Sequence, residues 1–206
     1  MESRSAPTGS VRPYGHAAAM PRAEEKRTRW SLAIRTMHWL TVAALALEFA
    51  ISFGPMSAGT GAFEWLPTHL SVGAIVALLV VTRVVRRVFE RPPQLGMPWF
   101  VRMLASSIHA AMYAVIIAVV FTGWAAYRPS PFIPPALLLG FVPIPGTPGG
   151  TFLAAHHYAS LHRLLVWVLM ALLVLHLLAA LFHVAILRDD VMGSMLVPRR
   201  PPARRG

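Results

Sequence analysis

The chain of 206 residues contains no cysteine. That absence excludes disulfides, cysteine-ligated iron–sulfur clusters and thioether-linked haem, and it leaves histidine and methionine as the side chains expected to ligate any haem iron. Charge is scarce too, since 13% of residues are Asp, Glu, Lys or Arg where a soluble chain carries roughly a quarter. Acidic residues are the rarest, 8 against 19 basic ones, and the formal net charge is +11. In a soluble protein that balance would point to nucleic acid. Here 17 of the 19 cations fall in three clusters, Arg4 to Arg35, Arg83 to Arg102 and Arg188 to Arg205, between or beyond long apolar runs. The positive-inside rule makes such clusters cytoplasmic, and no nucleic-acid partner is expected. With 56% hydrophobic residues and a mean hydropathy of +0.57, the apolar mass belongs in lipid as one membrane domain.

Residues 1–29 are rich in Ser, Pro, Gly, Ala and Arg and hold no apolar core of the signal-peptide kind, so they read as a disordered cytoplasmic tail, with Met20 a candidate start. The membrane domain is expected over 30–198, with a basic tail at 199–206. Its first span runs about 31–53 and carries Arg35, His38 and Trp39 near its beginning and Glu48 deeper, where a carboxylate is costly; Glu48 is expected to be protonated or to face the bundle, with no further role. Residues 54–65 read as a short external loop. A second span, about 66–88, has His69 at its external end and Arg83, Arg86 and Arg87 at its internal end. The proline-rich stretch after it cannot continue the helix. A third span, about 103–127, holds His109 near its internal start and Gly123-Trp124 at its external end. Residues 128–157 are crowded with Pro and Gly and read as an external loop lying on the bilayer as a cap or entry site. The fourth span, about 158–187, ends in Arg188, Asp189 and Asp190. Four spans give an all-α, up-down-up-down integral membrane bundle with both termini cytoplasmic.

The fourth span carries three histidines, His162, His176 and His183, in an otherwise apolar run. Fourteen helical positions bring His176 to within roughly 40° of His162 and about 21 Å along the axis, so both imidazoles face one side near opposite leaflets. A neutral imidazole in hydrocarbon needs a partner, and an ionisable residue within the membrane is a functional-site hypothesis by default. A single intramembrane histidine is ordinarily a hydrogen-bonded packing residue. Four at paired depths, two of them on one helix face, favour haem iron instead. His69 and His162 match in depth at the external side. At the internal side His38 can meet the fourth span lower down, where His176 and His183 both suit by depth and His109 stands close by. Periodicity leaves that choice open. Two axial imidazoles would saturate the iron and suit it to passing electrons. His16, His156 and His157 are expected to be solvated or interfacial.

The segments IRTMHWL in the first span, THLSVG and VVTRVVRR in the second, IHAAMY and TGW in the third, and LHRLLVWVLMALLVLHLLAALFHVAILRDD in the fourth resemble the bacterial cytochrome b561 family over about Arg29 to Pro198. The resemblance implies a four-helix, multi-pass cytochrome of the bacterial inner membrane with two non-covalent b haems. Carried over by position, it implies that His38 and His176 ligate the inner haem and His69 and His162 the outer one, leaving His109 and His183 as non-ligands near propionates or a quinone. Arg35, Arg83 and Arg188 are either lipid-headgroup anchors or propionate partners. Arg128 and Arg163 put positive charge outside, where they can pair with outer propionates or attract an anionic reductant. Trp39, Trp124 and Trp167 read as interface or packing aromatics. The function implied is one-electron transfer between an external donor and the quinone pool, ubiquinone being the expected redox partner, and superoxide:quinone oxidoreductase is an activity the resemblance permits. Two alternatives stand beside it. One is the cytochrome b subunit of a larger dehydrogenase or hydrogenase complex, with a redox partner subunit. The other is a haem-free transporter or structural membrane protein.

Overall fold

The computed structural model describes residues 30–58, 61–90, 98–129, 135–138, 140–147, 151–189 and 191–196. Four helices carry the fold: α1 Leu32–Phe53, α2 Gly61–Phe89, α3 Trp99–Ala126 and α4 Phe152–Phe182. Each is long and apolar enough to cross a membrane. A two-stranded antiparallel hairpin, β1 Leu137–Leu138 and β2 Val142–Pro143, lies in the α3–α4 connection. The proposed tails 1–29 and 199–206, Met20 and most of the proline-rich stretch after α2 lie outside the described residues.

Three helices begin earlier than hydrophobicity alone predicts, and the local chemistry says why. Ahead of α4, Thr151 is an N-cap whose side chain accepts from Ala154 N at 3.1 Å, so the helix starts at Phe152 inside the segment expected to be loop. His156 and His157 therefore sit on its first turns, where both are exposed. Likewise α2 starts at Gly61, within the expected 54–65 loop, and runs through Pro67. Pro67 lies in its second turn, where the missing N–H forfeits one intrahelical hydrogen bond, and the helix continues past it. The third helix starts at Trp99, directly after Pro98. At its far end α4 widens into a π-helical segment, His183–Leu187, and stops at Arg188, whose left-handed backbone (φ 50°) closes it.

Backbones pack closely in the pairs α1–α2, α2–α3 and α3–α4. Among the described residues α1 and α4 meet through side chains, as where Phe53 lies 5.9 Å from Trp167 between ring centres. The seam between the first and last helices is thus wider than an ordinary helix contact, where axes come within about 8–10 Å. The buried core is small. Val76 and Val80 of α2, Ile116 of α3 and Leu169 of α4 form it, with Leu45 and Phe49 of α1 packed against it. Most other large apolar side chains are exposed, as expected where lipid replaces water as the neighbour.

Candidate functional site

Two clusters of imidazoles lie on either side of that core. On one side His69 of α2 faces His162 of α4, with ring centres 6.0 Å apart and planes at 87°. On the other, His176 of α4 lies 6.5 Å from His38 of α1 and 5.1 Å from His109 of α3. Two imidazoles on opposite sides of one metal, with bonds of about 2.0 Å and each ring centre about 1.1 Å behind its nitrogen, stand roughly 6 Å apart. His69–His162 and His38–His176 have that separation. His109–His176 is about 1 Å too close for it.

The His69–His162 pair opens on a cavity of about 980 Å³, mouth included, walled by all four helices and by Ile144 next to the hairpin. The enclosed part holds about 250 Å³, near the lower end of the range for small-molecule and cofactor sites, roughly 300–1,000 Å³. Its walls are apolar apart from Glu48, Ser52, the two histidines and Trp124. Over its outer side the hairpin is tied down at several points. Ser71 Oγ lies 2.7 Å from the Leu137 carbonyl and Trp124 Nε1 donates to Pro145 O at 2.8 Å. The Arg128 guanidinium reaches Thr147 Oγ1 and the carbonyls of Ala125 and Tyr127. Arg128 is therefore engaged in holding the loop, whereas Arg163, one residue beyond His162, is exposed and bonds Ser160 Oγ at 3.2 Å.

Each histidine of this pair has its Nδ1 turned to a group in the cavity wall. His162 Nδ1 lies 2.8 Å from the Val119 carbonyl of α3, which can only accept, so the ring donates there and keeps Nε2 as its bare nitrogen. That is the tautomer a metal-ligating histidine requires, with its second nitrogen fixed by an acceptor. Gly123, one turn beyond Val119 on the same face, makes room for this ring. A Cβ at Gly123 would sit 3.0 Å from both Cε1 and Nδ1 of His162. His69 Nδ1 approaches Glu48 Oε2 at 2.5 Å and Ser52 Oγ at 3.4 Å. The carboxylate contact is close in distance but off in angle, and both Glu48 oxygens are buried without a formed hydrogen bond. Sequence reasoning gave Glu48 no part beyond facing the bundle. Its signal was present in the spacing, because Glu48 and Ser52 are i, i+4 on α1 and so share a face.

At the second cluster, His38 Nδ1 is buried with no partner, and His109 Nδ1 lies 2.6 Å from Ala105 O of its own helix. His183 stands apart from these rings. Its Nδ1 lies 2.6 Å from Asp189 Oδ2 just past the π-helical segment. Arg35 and Arg83 are both buried, 8% exposed, and each keeps Nε without a partner. Arg35 Nη1 donates to Leu196 O at 2.5 Å, and Arg83 lies over the Tyr113 ring at 5.7 Å. Beside Arg35, Trp39 Nε1 donates to Met195 O at 3.2 Å, so the turn at 191–196 docks on the start of α1. Arg188 is exposed.

These residues fit a b-type haem chemically: facing imidazoles without cysteine, a fixed tautomer, a wide apolar cavity, and buried guanidiniums with a donor to spare for an anionic group. Comparison with known proteins agrees. Residues 29–198 match the family model described as prokaryotic cytochrome b561. The chain is also 27% identical over 174 residues to cytochrome b561 homolog 2 of Escherichia coli (strain K12), covering 82% of this chain and 91% of that protein. With its four membrane-spanning helices, the chain belongs to the prokaryotic cytochrome b561 family, the haem-b-binding membrane cytochromes of electron transfer.

Proposed function

We propose that this protein is a di-haem cytochrome of the bacterial inner membrane, with both termini cytoplasmic, that passes electrons singly between an external one-electron donor and the quinone pool. In this reading residues 30–198 form the cytochrome domain. His69 and His162 hold the outer haem, and His38 and His176 the inner one. The observation that carries it is the recurrence, on α4, of a facing imidazole at 6.0 Å from His162 and again at 6.5 Å from His176. Bound at each pair, haem b would supply an Fe(III)/Fe(II) couple able to take up and release one electron.

The chain's own groups do the rest. Val119 and the backbone of α3 hold His162 in its ligating tautomer. The packed core of Val76, Val80, Ile116 and Leu169 excludes water between the two histidine pairs and keeps the path in a low-dielectric medium. Arg35 and Arg83, each with a buried unpartnered Nε, are placed to bond the propionates of the inner haem. At the external face, Arg163 attracts an anionic donor, superoxide being the simplest that needs no open metal position. Ubiquinone is the acceptor we assign from the family, and orientation follows from the three cationic clusters in the sequence.

The test is haem counting in purified protein. Dithionite-reduced parent should show a b-type α-band and two haems per chain by pyridine haemochrome. Alanine at His38, His69, His162 or His176 should each lower that number, and alanine at His109 or His183 should leave it at two. Dependence on His109 or His183 in place of His38 or His176 would overturn the inner ligand assignment. A colourless parent from haem-replete cells would overturn the whole.

A further inference from the structure

Glu48 is an anomaly of the fold. Its carboxyl group lies inside a membrane-spanning helix, both oxygens are buried, and neither has a formed hydrogen bond. Leaving such a group without compensation costs several kcal/mol of the order known for buried polar atoms, about 2–7 kcal/mol. Nothing in the packing demands it, since the cavity wall around it is otherwise apolar. The nearest polar atom is His69 Nδ1 at 2.5 Å, and Ser52 Oγ lies 3.4 Å from the same nitrogen. Gly73, one turn beyond His69 on α2, faces the carboxylate: a Cβ there would lie 3.4 Å from Glu48 Oε1, an ordinary contact.

We propose that Glu48 is a positioning residue for His69: its carboxylate takes the Nδ1 proton in a hydrogen bond, turns Nε2 to the cavity, and makes the imidazole a stronger electron donor, so that the outer haem sits at a lower potential than a neutral acceptor would give it. The two outer imidazoles are thus unequal. His162 leans on a neutral carbonyl, Val119 O at 2.8 Å, and His69 on a carboxylate. Carboxylate partners of this kind raise ligand basicity and fix ring orientation, and a negative charge close to a metal stabilises its oxidised state. The arrangement biases the outer site toward giving its electron onward rather than retaining it.

This rests on His69 being a ligand, and the experiment separates the two failures. Potentiometric titration of the two haems is carried out on the parent, Glu48→Gln, Glu48→Asp and His69→Ala proteins, with haem stoichiometry for each. Glu48→Gln keeps an acceptor and removes the charge, so two haems should remain, with one midpoint raised and the other unmoved. His69→Ala should abolish that same midpoint, which identifies it as the outer one. If Gln removes the outer haem altogether while the inner one stays, the ligand cannot be held without its carboxylate and the assignment stands. If the Gln protein does not accumulate, Glu48→Asp, which withdraws the charge by one methylene, should raise the same midpoint. Two haems with both midpoints as in the parent, in whichever variant is obtained, would overturn the role of Glu48. Two haems in His69→Ala would instead overturn the ligand assignment beneath it.

Discussion

Replacing Gly123 isolates the outer site from the stability of the helix that carries it. The glycine lies inside α3 with an ordinary helical backbone, so its value is the missing Cβ rather than conformational freedom. In Gly123→Ala the new methyl carbon would stand 3.0 Å from Cε1 and Nδ1 of His162, against about 3.5–4.0 Å for a relaxed contact. The ring must therefore retreat by roughly 0.5 Å, away from the Val119 carbonyl that it bonds at 2.8 Å. Overpacking of this kind costs about 1–3 kcal/mol. Losing a neutral hydrogen bond adds about 0.5–1.5 kcal/mol. Against that, alanine favours an α-helix over glycine by about 1 kcal/mol. The helix gains back part of what the ring loses, and the deficit falls on haem. At 1.4 kcal/mol per decade, binding at the outer site should weaken about tenfold to a thousandfold, and further in Gly123→Val. The assay is haem content of protein purified from haem-limited and haem-replete cells, with thermal unfolding measured beside it. Expected are one haem per chain under limitation, partial recovery when haem is plentiful, and little change in melting temperature. If Gly123→Val retains two haems under limitation, His162 does not ligate in the position described, and the argument from the Cβ is refuted.

Two further outcomes follow from the same geometry. Leu169→Ala, at a residue only 2% exposed within the core between the histidine pairs, should cost about 2–5 kcal/mol, read as a fall in melting temperature with both haems retained. Arg163→Gln should slow haem reduction by superoxide, more at low salt than at high, because an exposed charge acts through a field that salt screens within about 10 Å at 0.1 M; stopped-flow rates equal to the parent at both ionic strengths would remove Arg163 from the steering role.

The sequence displayed some of this plainly and concealed the rest for identifiable reasons. Four apolar runs and their cationic ends are one-dimensional signals, so the spans could be read directly. His69 and His162 could be paired by depth because each opens a helix at the same face. The inner choice could not, since His38, His109, His176 and His183 all fall near one depth, and only three-dimensional placement separates them. The structure takes His183 to Asp189 and brings His38 and His109 both to His176. Helix starts were misplaced where capping outranked hydrophobicity: Thr151 begins α4 inside a Pro- and Gly-rich stretch that otherwise looks like loop. The cap over the outer cavity was not legible at all, because its ties, Ser71 to Leu137 and Trp124 to Pro145, join residues 66 and 21 positions apart. Glu48 escaped because its spacing to Ser52 says which face the two share, and not that His69 of another helix meets them there.

The fourteen-residue step on α4 is one strand of a frame that all four helices share. Counting by sevens, α1 presents His38, Leu45 and Ser52; α2, in the opposite direction, His69, Val76 and Arg83; α3 His109, Ile116 and Gly123; and α4 His162, Leu169 and His176. The middle members, Leu45, Val76, Ile116 and Leu169, pack together as the core or against it. The outer members, Ser52, His69, Gly123 and His162, all line one cavity. The inner ones supply the three clustered imidazoles and the buried Arg83. A straight α-helix drifts about 20° per heptad, so a seven-residue repeat stays on one face only if the helices coil slightly left-handed around each other. Two heptads, about 21 Å of rise, then give two polar layers with one apolar layer between them. Shortening or lengthening one helix by a single residue between its two outer members would turn one of its functional residues by about 100°, out of its layer. Two sites and the septum between them therefore come from one repeat, and neither site can be moved along the bundle without dismantling the packing that separates it from the other.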